Sequence, residues 1–442
     1  MSAHSAEGST LTDFDTIDFF TDQSLIPDPH PYFDYLRAQN PVTPLNVYGV
    51  VAVTGHEEAN EVYRDSDTYS NLVAVGGPFP PLPFEPEGDD ISEQIEAHRH
   101  QMPMADHMVT MDPPMHTKAR SLLNRLLTPK RLKENQDFMW QLADRQLDYF
   151  AESGKCEFLS EYARPFALLV IADLLGVPEE DRPTFQEVLG APQPGARIGS
   201  LDHEELAHDP LAWLDDKFSG YLNDRRENPR GDVLTDLATA TYEDGSIPEI
   251  SDVVKSSTFL FAAGQETTTK LLSAALRFLA EDPGLVAQLR EDRSRIPNFL
   301  EETLRMESPV KTDPRLVRKT TTLGGVELKA GTVVVMFPGA INRDPRKFEN
   351  PHEFRIDRPN VREHLAFARG SHTCPGSPLA RAESRISLER ILDRMTDIRL
   401  DESQHGPAGD RRFSFEPTFI LRGLTELHLE FTPVAAPVPA GL

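Results

Sequence analysis

Cysteine is nearly absent from this chain. Its 442 residues include only Cys156 and Cys374, more than two hundred positions apart. They make no disulfide framework and no Cys-x-x-Cys pair, a usage that fits a reducing compartment. Long apolar runs are missing too. The longest, 259–264 and 332–341, fall far short of the ~18 to 20 residues of a membrane span. Positive charge is in deficit, with 45 Lys and Arg against 71 Asp and Glu, net −26. That balance disfavours non-specific binding to nucleic acid or anionic lipid. The first residues, MSAHSAEGSTLTDFD, lack both the basic start and the apolar run of a signal peptide. A cytoplasmic, unanchored protein is expected.

Helical periodicity is what the chain has in plenty. Apolar spacing predicts helices over 117–127, 136–150, 250–280, 296–307 and 378–394. Strand signals are few. They are a valine-rich piece at 45–54, a hairpin over 323–337 turning at Lys329-Ala330-Gly331, and an alternating run at 426–431. The expected class is mainly α with small peripheral β-sheets, as one catalytic domain over 13–432. Residues 1–12 and 433–442 read as a disordered start and a flexible tail. The proline-rich stretch GGPFPPLPFEPEG at 76–88 cannot be a helix. Long loops often act as lids, and Phe79 and Phe84 give this one an apolar side.

Cys374 lies in FARGSHTCPGSPLAR, residues 367–381. Glycines let backbone amides approach its sulfur, and Pro378 marks a helix start. A cysteine there meets the positive helix end, which favours the thiolate, a soft metal ligand. Taken alone, such a cysteine reads first as an inert core thiol. His372, two residues away, does not face it as a nucleophile's base would. The full pattern is more specific. Phe367, Gly370, His372, Cys374, Gly376, Leu379, Ala380 and Arg381 together resemble the haem-binding signature of the cytochrome P450 family.

That resemblance implies a bacterial-type haem-thiolate monooxygenase, with haem b between a long central helix and the cysteine-loop helix. It makes Cys374 the iron ligand, sets Phe367 over the haem beside the sulfur and sends His372 to a propionate. Thiolate ligation favours O–O cleavage. Pro375 departs from the usual loop. It has no N–H, so one amide that could donate to the sulfur is missing.

The segment FLFAAGQETTTK, 259–270, places a glycine and three threonines inside a helical stretch. Glycine there costs about 0.5 to 1 kcal/mol relative to alanine, and threonine is a weak helix former whose hydroxyl can bond the i−4 carbonyl. A local distortion that opens a pocket is expected; a buried helix whose threonines satisfy themselves is the plainer reading. The segment is similar to the family's Ala/Gly-Gly-x-Asp/Glu-Thr motif. By that likeness Gly264 leaves room for O2, Thr267 hydrogen-bonds the bound oxygen and Glu266 relays protons. Glu302 and Arg305 resemble the family's Glu-x-x-Arg pair, with Arg358 as third member and Arg355 where an Asp often stands. His116, Arg120 and Arg315 match propionate-binding positions.

Residues 118–133 hold Lys118, Arg120, Arg125, Lys130, Arg131 and Lys133 and no acid. This is either a solvated helix or a docking face for an acidic, ferredoxin-type electron donor served by its own reductase. No flavin or nicotinamide fingerprint is visible, so electrons come from outside the chain. The expected pocket wall comprises Phe79, Phe84, Met108 and Phe259, with Leu260, Ala263, Lys311 and Phe419. Its mostly apolar character points to a terpenoid, aromatic, fatty or steroid-like substrate, hydroxylated with O2 by a monomer. The alternatives are dehydration, coupling or peroxide-driven oxidation on the same fold, or a non-catalytic haem sensor that has no need of the Glu266-Thr267 pair.

Overall fold

The computed structural model describes residues 14–45, 48–75, 81–190, 211–242 and 244–434. Phe79, the expected disordered start, most of the expected tail and the side chain of Arg125 lie outside the described residues.

Eight helices position the site: α1 His30–Gln39, α2 Met115–Leu126, α3 Pro129–Asp148, α4 Arg164–Leu174, α5 Ala212–Glu227, α6 Ile250–Glu281, α7 Ile296–Met306 and α8 Ser377–Arg394. Each helical stretch read from the sequence is present. The start of α3 falls earlier than periodicity suggests. Thr128 Oγ1 accepts from the Arg131 amide and Pro129 opens the first turn, a capped start that needs no apolar residue. The 32-residue α6 crosses the core and packs against α4, α5 and α8. Apolar side chains surround much of it, as a buried helix requires. Phe261, fully buried, meets Phe185 at 5.3 Å and Phe218 of α5 at 6.3 Å. Each such side chain contributes roughly 1.5 to 3 kcal/mol through burial. Among the described residues, no helix is long and apolar enough to cross a membrane.

The sheets are small. Strands β1 Val42–Pro44, β2 Val50–Val53, β3 Tyr69–Ser70, β5 Asp313–Val317 and β8 Val333–Met336 form one sheet in the order β1-β2-β8-β5-β3. β4 Lys155–Glu157, β9 Met395–Leu400 and β10 His428–Pro433 form a second. β10 therefore runs one residue into the expected tail. The expected hairpin with Lys329-Ala330-Gly331 at its turn is not formed. Gly324 and Gly325, at φ +55° and +80°, make the turn between β6 Thr321–Leu323 and β7 Val326–Leu328; both values suit a two-residue hairpin turn. Gly331, at φ +94°, then turns the chain away, and β8 pairs parallel with β2 and antiparallel with β5. A run of valines belongs in such a covered central strand.

Helix α7 carries two adjacent buried carboxylates, Glu301 and Glu302. Neighbours on a helix point roughly 100° apart, so each serves a different segment. Glu302 binds Arg305 in a fork, at 2.7 and 2.8 Å, and Arg358 Nε at 3.1 Å. The same guanidiniums donate to the carbonyls of Asn342, Pro351 and Glu353, and of Glu349, Asn350 and Glu353. Segment 342–358 is thus wrapped around one ion triad. Arg355 contributes its amide to Glu302 at 2.9 Å while its side chain turns out toward Asp357, so side-chain identity there is free to vary. Glu301 looks the other way. It accepts from Arg381 of α8 at 2.5 and 3.0 Å and from His364 at 2.9 Å.

Glu302→Gln breaks a buried pair while leaving two cations in place, and is expected to cost about 3 to 5 kcal/mol, read by denaturant unfolding. Burial alone would raise the Glu301 carboxyl, but His364 and Arg381 overcome it and bring it down from 4.5 to about 2. A depressed carboxyl contributes stability above its unfolded value and loses it as pH falls through the folded one. Glu301→Gln should therefore lower stability at pH 7 and flatten the acid limb between pH 4.5 and 2; an unchanged limb in a pH series of melts would contradict this.

Candidate functional site

The loop before α8 is held from several sides. At Gly370, φ +72°, a Cβ would lie 2.1 Å from the Tyr63 carbonyl oxygen, so only glycine fits. The Cys374 amide donates to the Phe367 carbonyl at 3.0 Å. Arg120 Nη2 of α2 donates to the Thr373 carbonyl at 2.7 Å, and His372 Nε2 to the Met111 carbonyl at 3.1 Å. The expected lowering of the Cys374 thiol by its helix start is not met in the protein alone. Burial raises it, and the Gly376 amide, Arg120 and the Ser377 amide only partly offset this. A bound cation would reverse the balance, since a coordinating thiol is deprotonated outright. The other cysteine, Cys156, is buried on β4, where burial and then Glu161 push its thiol up.

Cys374 opens onto a cavity walled by Phe367, His372 and Ala380 on its own side, by Thr267 and Leu271 of α6, and by Leu304 of α7. Next to it stand two donor side chains with polar atoms that lack an acceptor. His116 is buried with both ring nitrogens unpaired, and Arg120 Nη1 is buried and unpaired. The His116 and His372 rings lie 3.9 Å apart. Burial and then Arg120 bring His116 down to about 4, and burial and then His116 lower His372 far below its ordinary value. Neutral imidazoles and one guanidinium with unmet donors are what a buried acidic group needs. A soft sulfur ligand, apolar walls and anion-seeking donors on one rim fit haem, with its iron and two propionates. Arg315 is buried behind the wall, paired with Asp313 and 5.5 Å from the Tyr63 ring. Arg318, three residues further on, donates to the Ser66 carbonyl instead.

On α6 two expectations are corrected. The helix runs unbroken from Ile250 to Glu281. Thr267 Oγ1 donates to the Ala263 carbonyl at 2.8 Å and Thr269 Oγ1 to the Gln265 carbonyl at 3.0 Å, so the hydroxyls satisfy themselves without breaking the ladder. Gly264 does not open space on the cavity side. A Cβ there would point toward α4 and meet Ile171 Cδ1 at 3.4 Å, an ordinary van der Waals contact. Glu266 accepts from Lys270 at 2.9 Å, and Lys270 also reaches Glu416 at 2.8 Å.

Several expected wall residues lie elsewhere. The backbone of Lys311 pairs with Ile420, and Val310, not Lys311, lines the cavity. Lys311 points instead to the Phe19 ring at 5.1 Å, and Phe419 packs edge-on to Phe20 at 5.8 Å. Phe84 leans on His98 in a satellite cluster with Leu72, Ile91 and Ile95. Met108, Leu260 and Phe259 pack in the main core, Phe259 against His107, and Ala263 is half-buried. On the basic run, Lys118, Lys130 and Lys133 are exposed. Arg131 is not available as a docking charge, because its guanidinium caps α4 through the Asp173 and Leu174 carbonyls. Leu271 could have been found from sequence, four residues after Thr267 on one helix face. Glu301, His364 and Asp313 carry no local signal.

A family profile described as Cytochrome P450 matches residues 202–398. The chain is 31% identical over 421 residues to "Putative cytochrome P450 140" of Mycobacterium tuberculosis strain H37Rv, with 94% of this chain and 92% of that protein covered. The solved structure of Mycobacterium marinum cytochrome P450 CYP150A6 in the substrate-free form is 66% identical, covering 96% of this chain and 100% of that one, with a TM-score of 0.89. CYP109E1 from Bacillus megaterium, solved in complex with testosterone, is 28% identical, covering 91% and 99%, with a TM-score of 0.74. A thiol, a threonine and unpaired donors around one cavity, in a chain alike to these proteins over nearly its whole length, mean that it belongs to the cytochrome P450 family and is a haem b monooxygenase.

Proposed function

We propose that this enzyme inserts one atom of O2 into a C–H bond of a small apolar molecule, using electrons from a separate acidic protein. The observation that carries the reading is the single cavity on which the Cys374 sulfur and the Thr267 hydroxyl both open, between walls supplied largely by carbon. Haem b, when bound, supplies the O2 binding and oxygen-transfer chemistry. In this reading Cys374 ligates the iron, and the Gly376 and Ser377 amides steady its sulfur where Pro375 cannot. His116 and Arg120 hold the propionates with the donors left unmet in the protein alone, His372 joins them at the same rim, and Arg315 supports it from behind.

Thr267 and Glu266 divide the proton work. The Thr267 hydroxyl donates to the Ala263 carbonyl, which leaves its oxygen free to accept a proton donor from the cavity side. Glu266, about a third exposed, links that position to solvent. Such a pair moves protons while apolar walls keep bulk water out. The testosterone-bound relative makes a steroid-sized polycycle the first substrate class to try, within the wider terpenoid, aromatic and fatty range. Exposed Lys118, Lys130 and Lys133 offer an acidic donor protein a positive approach.

Two measurements test this. The reduced CO complex should show the red-shifted Soret band of thiolate ligation, and Cys374→His should abolish it; a band that persists would rule Cys374 out. Thr267→Ala should lower product formation by on the order of 10²-fold while O2 consumption continues. Coupled turnover at the wild-type rate would remove the proton role.

A further inference from the structure

A second cavity, open and about 360 Å³ in volume, shares no wall residue with the one at Cys374. Five parts of the chain supply its charged groups: Asp28 and His30 at the start of α1, Arg277 on α6, Glu307 just after α7, Arg343, and Arg411 with Arg422 near the C-terminus. Four guanidiniums face two carboxylates there.

Most of these groups are already engaged. Glu307 accepts from Arg277 at 2.9 Å and from Arg422 at 2.9 Å. Arg422 directs its other donors to the Ile26 and Pro27 carbonyls. Arg277 also lies 3.8 Å from Glu281. Arg411 reaches Glu402 at 3.4 Å and the Gly406 carbonyl. Asp28 accepts from the His30 amide at 3.0 Å.

Arg343 and His30 are the exceptions. Arg343 is 8% exposed and donates once, from Nη2 to the Met306 carbonyl at 2.9 Å. Its Nε is buried with no partner, and among the described residues no carboxylate lies within ion-pair reach of it. His30, also 8% exposed, has both ring nitrogens buried and unpartnered. Burial brings Arg343 down to about 10 although Glu307 opposes this, and burial and then Arg343 lower His30 well below its ordinary value. Buried charges are paired as a rule. An ordered water could satisfy the imidazole but carries no charge to set against the guanidinium.

We propose that this cavity binds a phosphate-sized oxyanion, held by Arg343 Nε and the His30 ring, with Arg411 at its mouth. Guanidinium donors in a fixed fork suit such an anion better than a point cation does. The bound ion would tie the start of α1, the segment that carries Arg343 and the C-terminal loop together, away from the catalytic cavity.

The test is thermal melting of the holoenzyme titrated with inorganic phosphate, with sodium chloride holding ionic strength constant. The expected result is a saturable rise in Tm of a few degrees, because a ligand that binds only the folded state stabilises it by mass action. Arg343→Gln should abolish the rise. Arg411→Gln, on the rim and harmless to the core, should weaken phosphate binding by roughly tenfold, the loss of one charged hydrogen bond. If Arg343→Gln fails to fold, Arg411→Gln together with His30→Phe decides the matter. The proposal is overturned if wild type shows no saturable rise beyond the chloride control, or if the rise survives undiminished in the variants that fold.

Discussion

The active-site region depends on two neighbouring carboxylates on α7. Glu302 gathers Arg305 and Arg358, and through them the carbonyls of the 342–358 segment. Glu301 takes Arg381 and His364, and so fixes α8 and the loop that ends in Cys374. One rigid turn of helix thus sets the positions of two irregular segments that have little regular hydrogen bonding of their own. Burying the ions is expensive, and removing one member leaves an uncompensated charge. The arrangement trades stability for a defined position of the sulfur against α6.

The same rule, that a buried charge needs a partner, organises the rest. Where the protein supplies both members, as at Glu307 with Arg277 and Arg422, the result is a closed structural tie. Where it supplies only one, an outside group is called for. The unmet donors of His116 and Arg120 beside Cys374 answer to the propionates of the cofactor in our reading, and those of Arg343 and His30 to the proposed anion. The two places are chemically alike but differ in their surroundings. Only the first has a sulfur and a hydroxyl facing one cavity, and only there can oxygen chemistry be supported.

Much of this was legible in the chain itself. The cysteine loop, the α6 motif and the Glu302/Arg305 spacing are short-range patterns, in which chemistry and spacing coincide. Helical periodicity placed α6, α7 and α8 because their apolar faces repeat with the helix period. The failures have a common cause. Lys311, Phe419 and Phe84 suit the cavity by residue type, but packing against residues distant in the chain sends them to other clusters. Gly264 was assigned to the oxygen side, yet the helix that crosses it comes from nearly a hundred residues earlier and brings Ile171 to that face. Arg131 belonged to a run of positive charge, but its guanidinium found the carbonyl end of α4.

By itself the sequence determined which residues stand out as candidates for the chemistry: a thiol at a helix start, a threonine beside an acid, and an arginine three residues after a glutamate. Local spacing suffices for these, since each depends on residues within one or two helical turns. Only the tertiary structure decided what each side chain faces. It set Gly264 against Ile171 and Val310 on the cavity, and placed Glu301 under the Cys374 helix. Such contacts join residues far apart in the chain, and no local pattern records which of them will meet.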